Sequence, residues 1–170
     1  MPENTPHPAT LDEAELLEQC REERLRGSGP GGQRRNKVET AVRLVHEPTG
    51  VEVVASERRN QGENRKAAVR RLRVKLAVEV RREMDPHGPS ELWKSRRQGT
   101  QIRVSPRHRD FPAILAEAMD AAMGTRGDMR LAANALGVSM SQLVKLLKLE
   151  PAALEKVNQI RRERGLHGMK

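Results

Sequence analysis

The 170-residue sequence holds one cysteine, no tyrosine, one phenylalanine and one tryptophan. A lone Cys20 rules out a disulfide framework and a cysteine-based zinc set. The five histidines stand at 7, 46, 87, 108 and 167, never at metal-ligand spacing. So few aromatics argue against recognition of single strands by base stacking. No apolar run approaches the length of a bilayer span. The N-terminus carries neither a basic-plus-apolar signal nor an Arg-rich, acid-poor transit pattern. Together these absences point to a cytoplasmic, reduced protein with no metal and no cofactor.

Positive charge is what the chain has in excess. Charged residues make up 32% and the net charge is +9. Residues 1–20 hold five acids and no Lys or Arg, residues 21–110 carry a net +11, and residues 111–170 a net +3. A basic middle points to a polyanionic partner. Charge by itself separates neither DNA from RNA nor either from an anionic membrane, and a solvated charged face is the plainer alternative.

The expected fold class is α+β: a small mixed β-sheet packed against one long basic helix, then a small all-α helix-turn-helix-like domain. Residues 1–10, with three prolines, read as a flexible lead-in. Leu11 to Gln19 suits a short helix, and Cys20 to Arg26 a strand. Thr40–Glu47 and Val51–Ser56 are β-branched runs around Pro48-Thr49-Gly50, the chemistry of a hairpin turn. Asn60 with Glu63 resembles a capping box. Val69, Leu72, Leu76 and Val80 then recur at helical steps up to a stop at Asp85-Pro86. Residues 11–84 are thus one domain, 85–109 a basic linker that Trp93 anchors by packing, 110–166 a helical domain and 167–170 a tail.

Residues 27–33, Gly-Ser-Gly-Pro-Gly-Gly-Gln, satisfy a dinucleotide-binding glycine pattern, but their flanks are charged and would not pack in a doubly wound sheet. No Gly-Lys-Ser/Thr follows, which excludes a P-loop. Glycine-rich backbone can reach φ > 0 and come close to another molecule. Gln33 then presents an amide, followed by Arg34, Arg35 and Lys37. Glutamine is neither acid nor base at neutral pH. Chemistry at this tip must therefore rest on positioning and oxyanion stabilisation, with water or a substrate hydroxyl handling protons.

The stretch from Gly27 to Arg70 resembles the catalytic domain of class I peptide chain release factors and the related ribosome-rescue hydrolases. The matching features are Ser28-Gly29-Pro30-Gly31-Gly32-Gln33, Asn36-Lys37, Thr40-Ala41-Val42-Arg43-Leu44, His46-Glu47-Pro48-Thr49-Gly50, then Arg58, Gln61 and Asn64-Arg65. The resemblance implies a peptidyl-tRNA hydrolase acting on the ribosome, with Gly31, Gly32 and Gln33 as its catalytic tip. It implies large-subunit rRNA and P-site peptidyl-tRNA as partners. It also implies possible N5-methylation of Gln33, which makes a glutamine methyltransferase a further partner. Arg34, Arg35 and Lys37, with Arg65, Lys66, Arg70 and Arg73 on the basic helix, are the expected RNA contacts. Only 26 residues precede Gly27, so the expectation is rescue of stalled ribosomes without reading a codon, and a monomer is expected of a protein that must fit the ribosomal A site.

The C-terminal residues follow helix-turn-helix spacing. Ala133, Gly137 and Leu143 mark the first helix, tight turn and second helix, with Ser139 as cap and Pro151 opening a last helix. This segment resembles small bacterial DNA-binding domains, whose reading residues would be Met140, Ser141, Gln142 and Lys145. On that second helix only Lys145 and Lys148 are basic. A ribosome-docking element and a packing module therefore stand beside DNA binding as readings. For the whole chain, the alternatives to an esterase are a non-catalytic ribosome- or RNA-binding factor and a DNA-binding regulator.

Overall fold

A computed structural model describes residues 6–26 and 40–170. The chain divides into two units, residues 11–76, and residues 77–170 together with the N-terminal residues up to Thr10.

The first unit opens with α1 (Glu13–Glu18), started by a capping box. Asp12 accepts from the Glu15 amide at 2.8 Å, and the Glu15 carboxylate accepts from the Asp12 amide at 3.3 Å. Strands β1 (Cys20–Leu25), β2 (Ala41–His46) and β3 (Val51–Ala55) form one sheet in the order β1-β2-β3. Both pairings are antiparallel, so among the described residues the sheet is antiparallel where a mixed one was expected. Residues 47–50 are too few for a crossover and return the chain at once. Gly50 closes that turn at φ +70° and donates to the His46 carbonyl at 2.8 Å. Period-two alternation buries Val42, Leu44, Val53 and Ala55 on one face. The other face carries Arg43, paired to Glu23 of β1 and Glu52 of β3, so one cation ties three strands.

Helix α2 (Gln61–Glu79) begins where the Asn60 side chain accepts from the Gly62 and Glu63 amides at 2.7 and 3.4 Å. Its buried stripe is Ala68, Val69, Leu72 and Leu76. Arg71 and Lys75 donate to the Val54 and Glu52 carbonyls of β3. They cover the outer edge of the sheet, where free carbonyls would otherwise invite another strand.

Helix α2 stops at Glu79, not at Asp85-Pro86 as expected. Other partners take the backbone that would continue it. His7 Nε2 donates to the Val80 carbonyl at 3.1 Å, and the Arg82 amide donates to Asp120 at 3.0 Å. Asp120 also accepts from Arg81 Nη1 at 2.8 Å.

Residues 85–109, read from the sequence as a basic linker, contain helix α3 (Glu91–Arg96) and a hairpin of β4 (Arg97–Gln98) and β5 (Gln101–Ile102). Short elements with so many charges show no periodicity. Trp93 supplies the anchor: it is fully buried, and its indole Nε1 donates to the Leu136 carbonyl at 2.9 Å. Helices α4 (Phe111–Gly124), α5 (Met129–Leu136), α6 (Met140–Leu147) and α7 (Pro151–Glu163) complete the unit. Asp128 caps α5, Ser139 caps α6, and Gly137 turns between them at φ +66°. Helices α5 and α6 and the turn at Gly137 fall at the positions expected from the sequence. A Cβ at Gly137 would collide with the Arg97 guanidinium, which lies across the turn. No helix among the described residues is long and apolar enough to cross a membrane.

Trp93→Phe keeps the bulk of the ring but leaves the Leu136 carbonyl unpaired. We expect a loss of about 1–3 kcal/mol in urea unfolding, and an unchanged midpoint would refute the bond's contribution. A second prediction concerns pH. Burial lowers the His7 pKa to about 4. The neutral ring fits its setting, since Nδ1 accepts from the Ala9 amide while Nε2 donates to Val80. A depressed histidine pKa means the unfolded chain binds more protons between that value and the ordinary one, so this stability is lost as pH falls. Burial raises the Asp120 pKa to about 6, which acts in the opposite sense over nearly the same window. The stability gap between wild type and His7→Gln should therefore widen as pH rises from about 4 to about 6.5. A constant gap would show an ordinary ring.

Candidate functional site

Strand β1 ends at Leu25 and β2 begins at Ala41, and these two residues are directly paired. The chain thus leaves and re-enters the sheet at one end. Gly31, Gly32, Gln33, Arg34, Arg35 and Lys37 lie between these points and outside the described residues.

The re-entry point is held by a residue whose role the sequence reading missed. Asn64, in the first turn of α2, has no exposed surface. Its Nδ2 donates to the Thr40 carbonyl at 2.6 Å and to the Arg58 carbonyl at 3.0 Å, and its Oδ1 accepts from the Arg58 amide at 2.8 Å. One amide thereby satisfies three backbone groups and joins the start of β2, the β3–α2 connection and the helix. A buried polar side chain is tolerated only when so paired. The signal available in sequence was an Asn on what should be the apolar side of a helix.

The basic helix residues separate by partner. Arg65 pairs with Glu22 of β1 at 2.9 Å and lies 3.8 Å from Glu13 of α1, so it ties elements of its own unit together. Lys66 and Arg70 are exposed and stand ready for an anion. Arg73 is half-buried. Of the four helix positions expected to contact RNA, Lys66 and Arg70 best retain that capacity.

Two ionisable groups of the sheet are poorly suited to acid–base or nucleophilic work. Burial pushes the Cys20 thiol up to about 11, so it stays protonated. Burial lowers the His46 pKa, and its ring is held by Thr49 Oγ1 at 2.7 Å and Gln19 Oε1 at 3.1 Å. Cys20 and His46 also pair with each other at the far end of the sheet from Leu25 and Ala41. Five strand steps separate the ends, roughly 17 Å. Among the described residues, no group of three His, Cys, Asp or Glu is arranged to hold a metal ion.

These features define a class: a small α+β module whose sheet is braced at the end where a glycine-rich sequence joins two directly paired strands. Comparison with known proteins gives the family. The model of the RF-1 domain matches residues 12–111, and the chain belongs to that family. Peptide chain release factor 1 of Chlorobaculum tepidum is 47% identical over 74 residues, covering 40% of this chain and 21% of the relative. An uncharacterised mitochondrial peptide chain release factor-like protein of Saccharomyces cerevisiae is 44% identical over 96 residues, covering 54% of this chain and 59% of the relative. The chain thus spans about a fifth of the length of the bacterial release factors it matches.

Removing the latch tests its place in the site. Asn64→Ala strands the Thr40 and Arg58 groups and should cost about 2–4 kcal/mol in chemical unfolding. Asn64→Asp keeps the size but sets a carboxylate against two carbonyls, and its deficit should be larger at neutral pH than in acid. Wild-type stability in both variants would show that the start of β2 is held by something else.

Proposed function

We propose that the chain hydrolyses the ester of a ribosome-bound peptidyl-tRNA, and that it does so without a stop codon. The observation that carries the first part is the Gly31-Gly32-Gln33 sequence between two directly paired strand ends of an RF-1 domain. The relatives' names, as peptide chain release factors, support the same reading.

In this reading Gly31 and Gly32 let the backbone approach the tRNA end, and the Gln33 N–H donates to the oxygen that becomes negative as water attacks the ester carbonyl. Collapse of the tetrahedral intermediate breaks the bond to the terminal ribose oxygen. That oxygen leaves with a proton drawn ultimately from the attacking water. No titrating side chain is needed at the tip, in keeping with the protonated Cys20 and the pinned His46 at the other end of the sheet. Arg34, Arg35 and Lys37 would clamp nearby RNA, and Lys66 and Arg70 would add phosphate contacts from α2. Arg65 would act indirectly, holding α2 against β1. N5-methylation of Gln33 by a methyltransferase would restrict the amide's rotation and its hydrogen bonding.

The test is single-turnover release of labelled peptide from ribosomes stalled with no stop codon in the decoding site. Wild type should release. Gln33→Ala should slow release by roughly 100-fold or more, the usual effect of disabling an oxyanion contact. Equal release by both would exclude the mechanism, and release only when a stop codon is present would exclude codon independence.

A further inference from the structure

The α5–α6 pair of the second unit is not a bare helix pair. Three contacts fasten α3 and the β4–β5 hairpin to its turn. Trp93 Nε1 reaches the Leu136 carbonyl at 2.9 Å, Arg97 Nη1 lies 3.4 Å from the Gly137 carbonyl, and the Ser139 amide donates to the Thr100 carbonyl at 2.9 Å. Strand β5 packs against α6, with Ile102 buried beneath it. The hairpin and α6 are therefore joined directly and present one surface.

The chemistry of that surface is one-sided. Residues 97–109 and 129–149 contain no Asp or Glu. Arg103, Lys145 and Lys148 are exposed, and none pairs with a carboxylate among the described residues. Gln98, Thr100 and Gln101 are exposed on the hairpin as neutral donors and acceptors. A helix reading base edges needs long polar side chains free on its leading turn. Here that turn presents Met140, 49% exposed, and Ser141, while Gln142 is half-buried. Such a surface suits a duplex gripped by its shape, phosphates and ribose hydroxyls, as A-form RNA is.

We propose that α6 and the β4–β5 hairpin form a docking surface for the phosphate backbone of a double-stranded RNA helix. The surface itself stands independently of the esterase reading. Only the preference for ribosomal RNA as the natural duplex rests on it.

The experiment uses the full chain and fluorescence anisotropy with an RNA duplex of roughly 20 base pairs. The triple change Arg103→Gln, Lys145→Gln, Lys148→Gln should keep the wild-type melting temperature. Each phosphate that a side chain no longer neutralises takes about 0.9 off the slope of log affinity against log salt. The triple variant should therefore show a slope shallower by roughly 2–3, with affinity falling about tenfold or more. A charge-matched triple at the exposed Arg162, Arg164 and Lys170 sets the effect of net charge alone and should change binding less. Parity between the two triples overturns the proposal, as does failure of wild type to bind. A DNA duplex of the same sequence bound as tightly as the RNA also overturns it, in favour of a DNA reader. Gln33→Ala should bind the duplex like wild type. Peptide release without duplex binding would sink this surface alone, and duplex binding without release would sink the esterase reading alone.

Discussion

The first unit depends on one buried amide. A sheet of three short strands holds its ends only weakly by its own ladder, because the end pair at Leu25 and Ala41 is where pairing would fray. Asn64 prevents this from the helix side. It occupies the two backbone groups of Arg58 and the carbonyl of Thr40, so the helix start, the preceding loop and the root of β2 are positioned together. An apolar residue of the same size would fill the space and leave three polar groups dry. A charged one would fill it and oppose two carbonyls. The requirement is for a donor and an acceptor on one short side chain, which asparagine meets.

Around that latch the basic residues divide their labour. The excess of positive charge in residues 21–110 reads in sequence as one undifferentiated field, yet many of those cations are engaged within the protein. Arg43 bridges strands, Arg65 joins α2 to β1, and Arg71 and Lys75 cap an exposed sheet edge. Long side chains with charged ends suit this work, since their stems cover apolar surface while their heads find carboxylates or carbonyls. The cations free to meet a polyanion are fewer than the basic residues of the segment, and Lys66 and Arg70 on α2 are among them.

The second unit follows a different logic, in which caps and one aromatic set the arrangement. Asp128, Gly137 and Ser139 start and stop two eight-residue helices that would not persist alone. Trp93 then spends its single polar atom on the open C-terminal end of α5. In a chain with so few aromatics, this one large ring decides where the segment after α2 must lie. The Asp120 carboxylate does comparable work at the end of α2 by claiming the Arg82 amide and the Arg81 guanidinium.

The sequence alone was enough to recover the three strands of the first sheet, the hairpin turn, the two capped helices around Gly137 and the family resemblance through the glycine-rich motif. All of these are local, because φ preferences, period-two and period-four burial, and capping chemistry act within a few residues. The antiparallel order of the whole sheet, the early stop of α2, the helix and hairpin at 91–102, and the role of Asn64 belong to the tertiary structure. Each depends on a partner far along the chain: Thr40 for Asn64, Asp120 for Arg82, Leu136 for Trp93. A hydrogen bond between distant residues leaves no periodicity behind. It is decided only when burial removes water and each polar group must find whichever partner the fold has brought within reach.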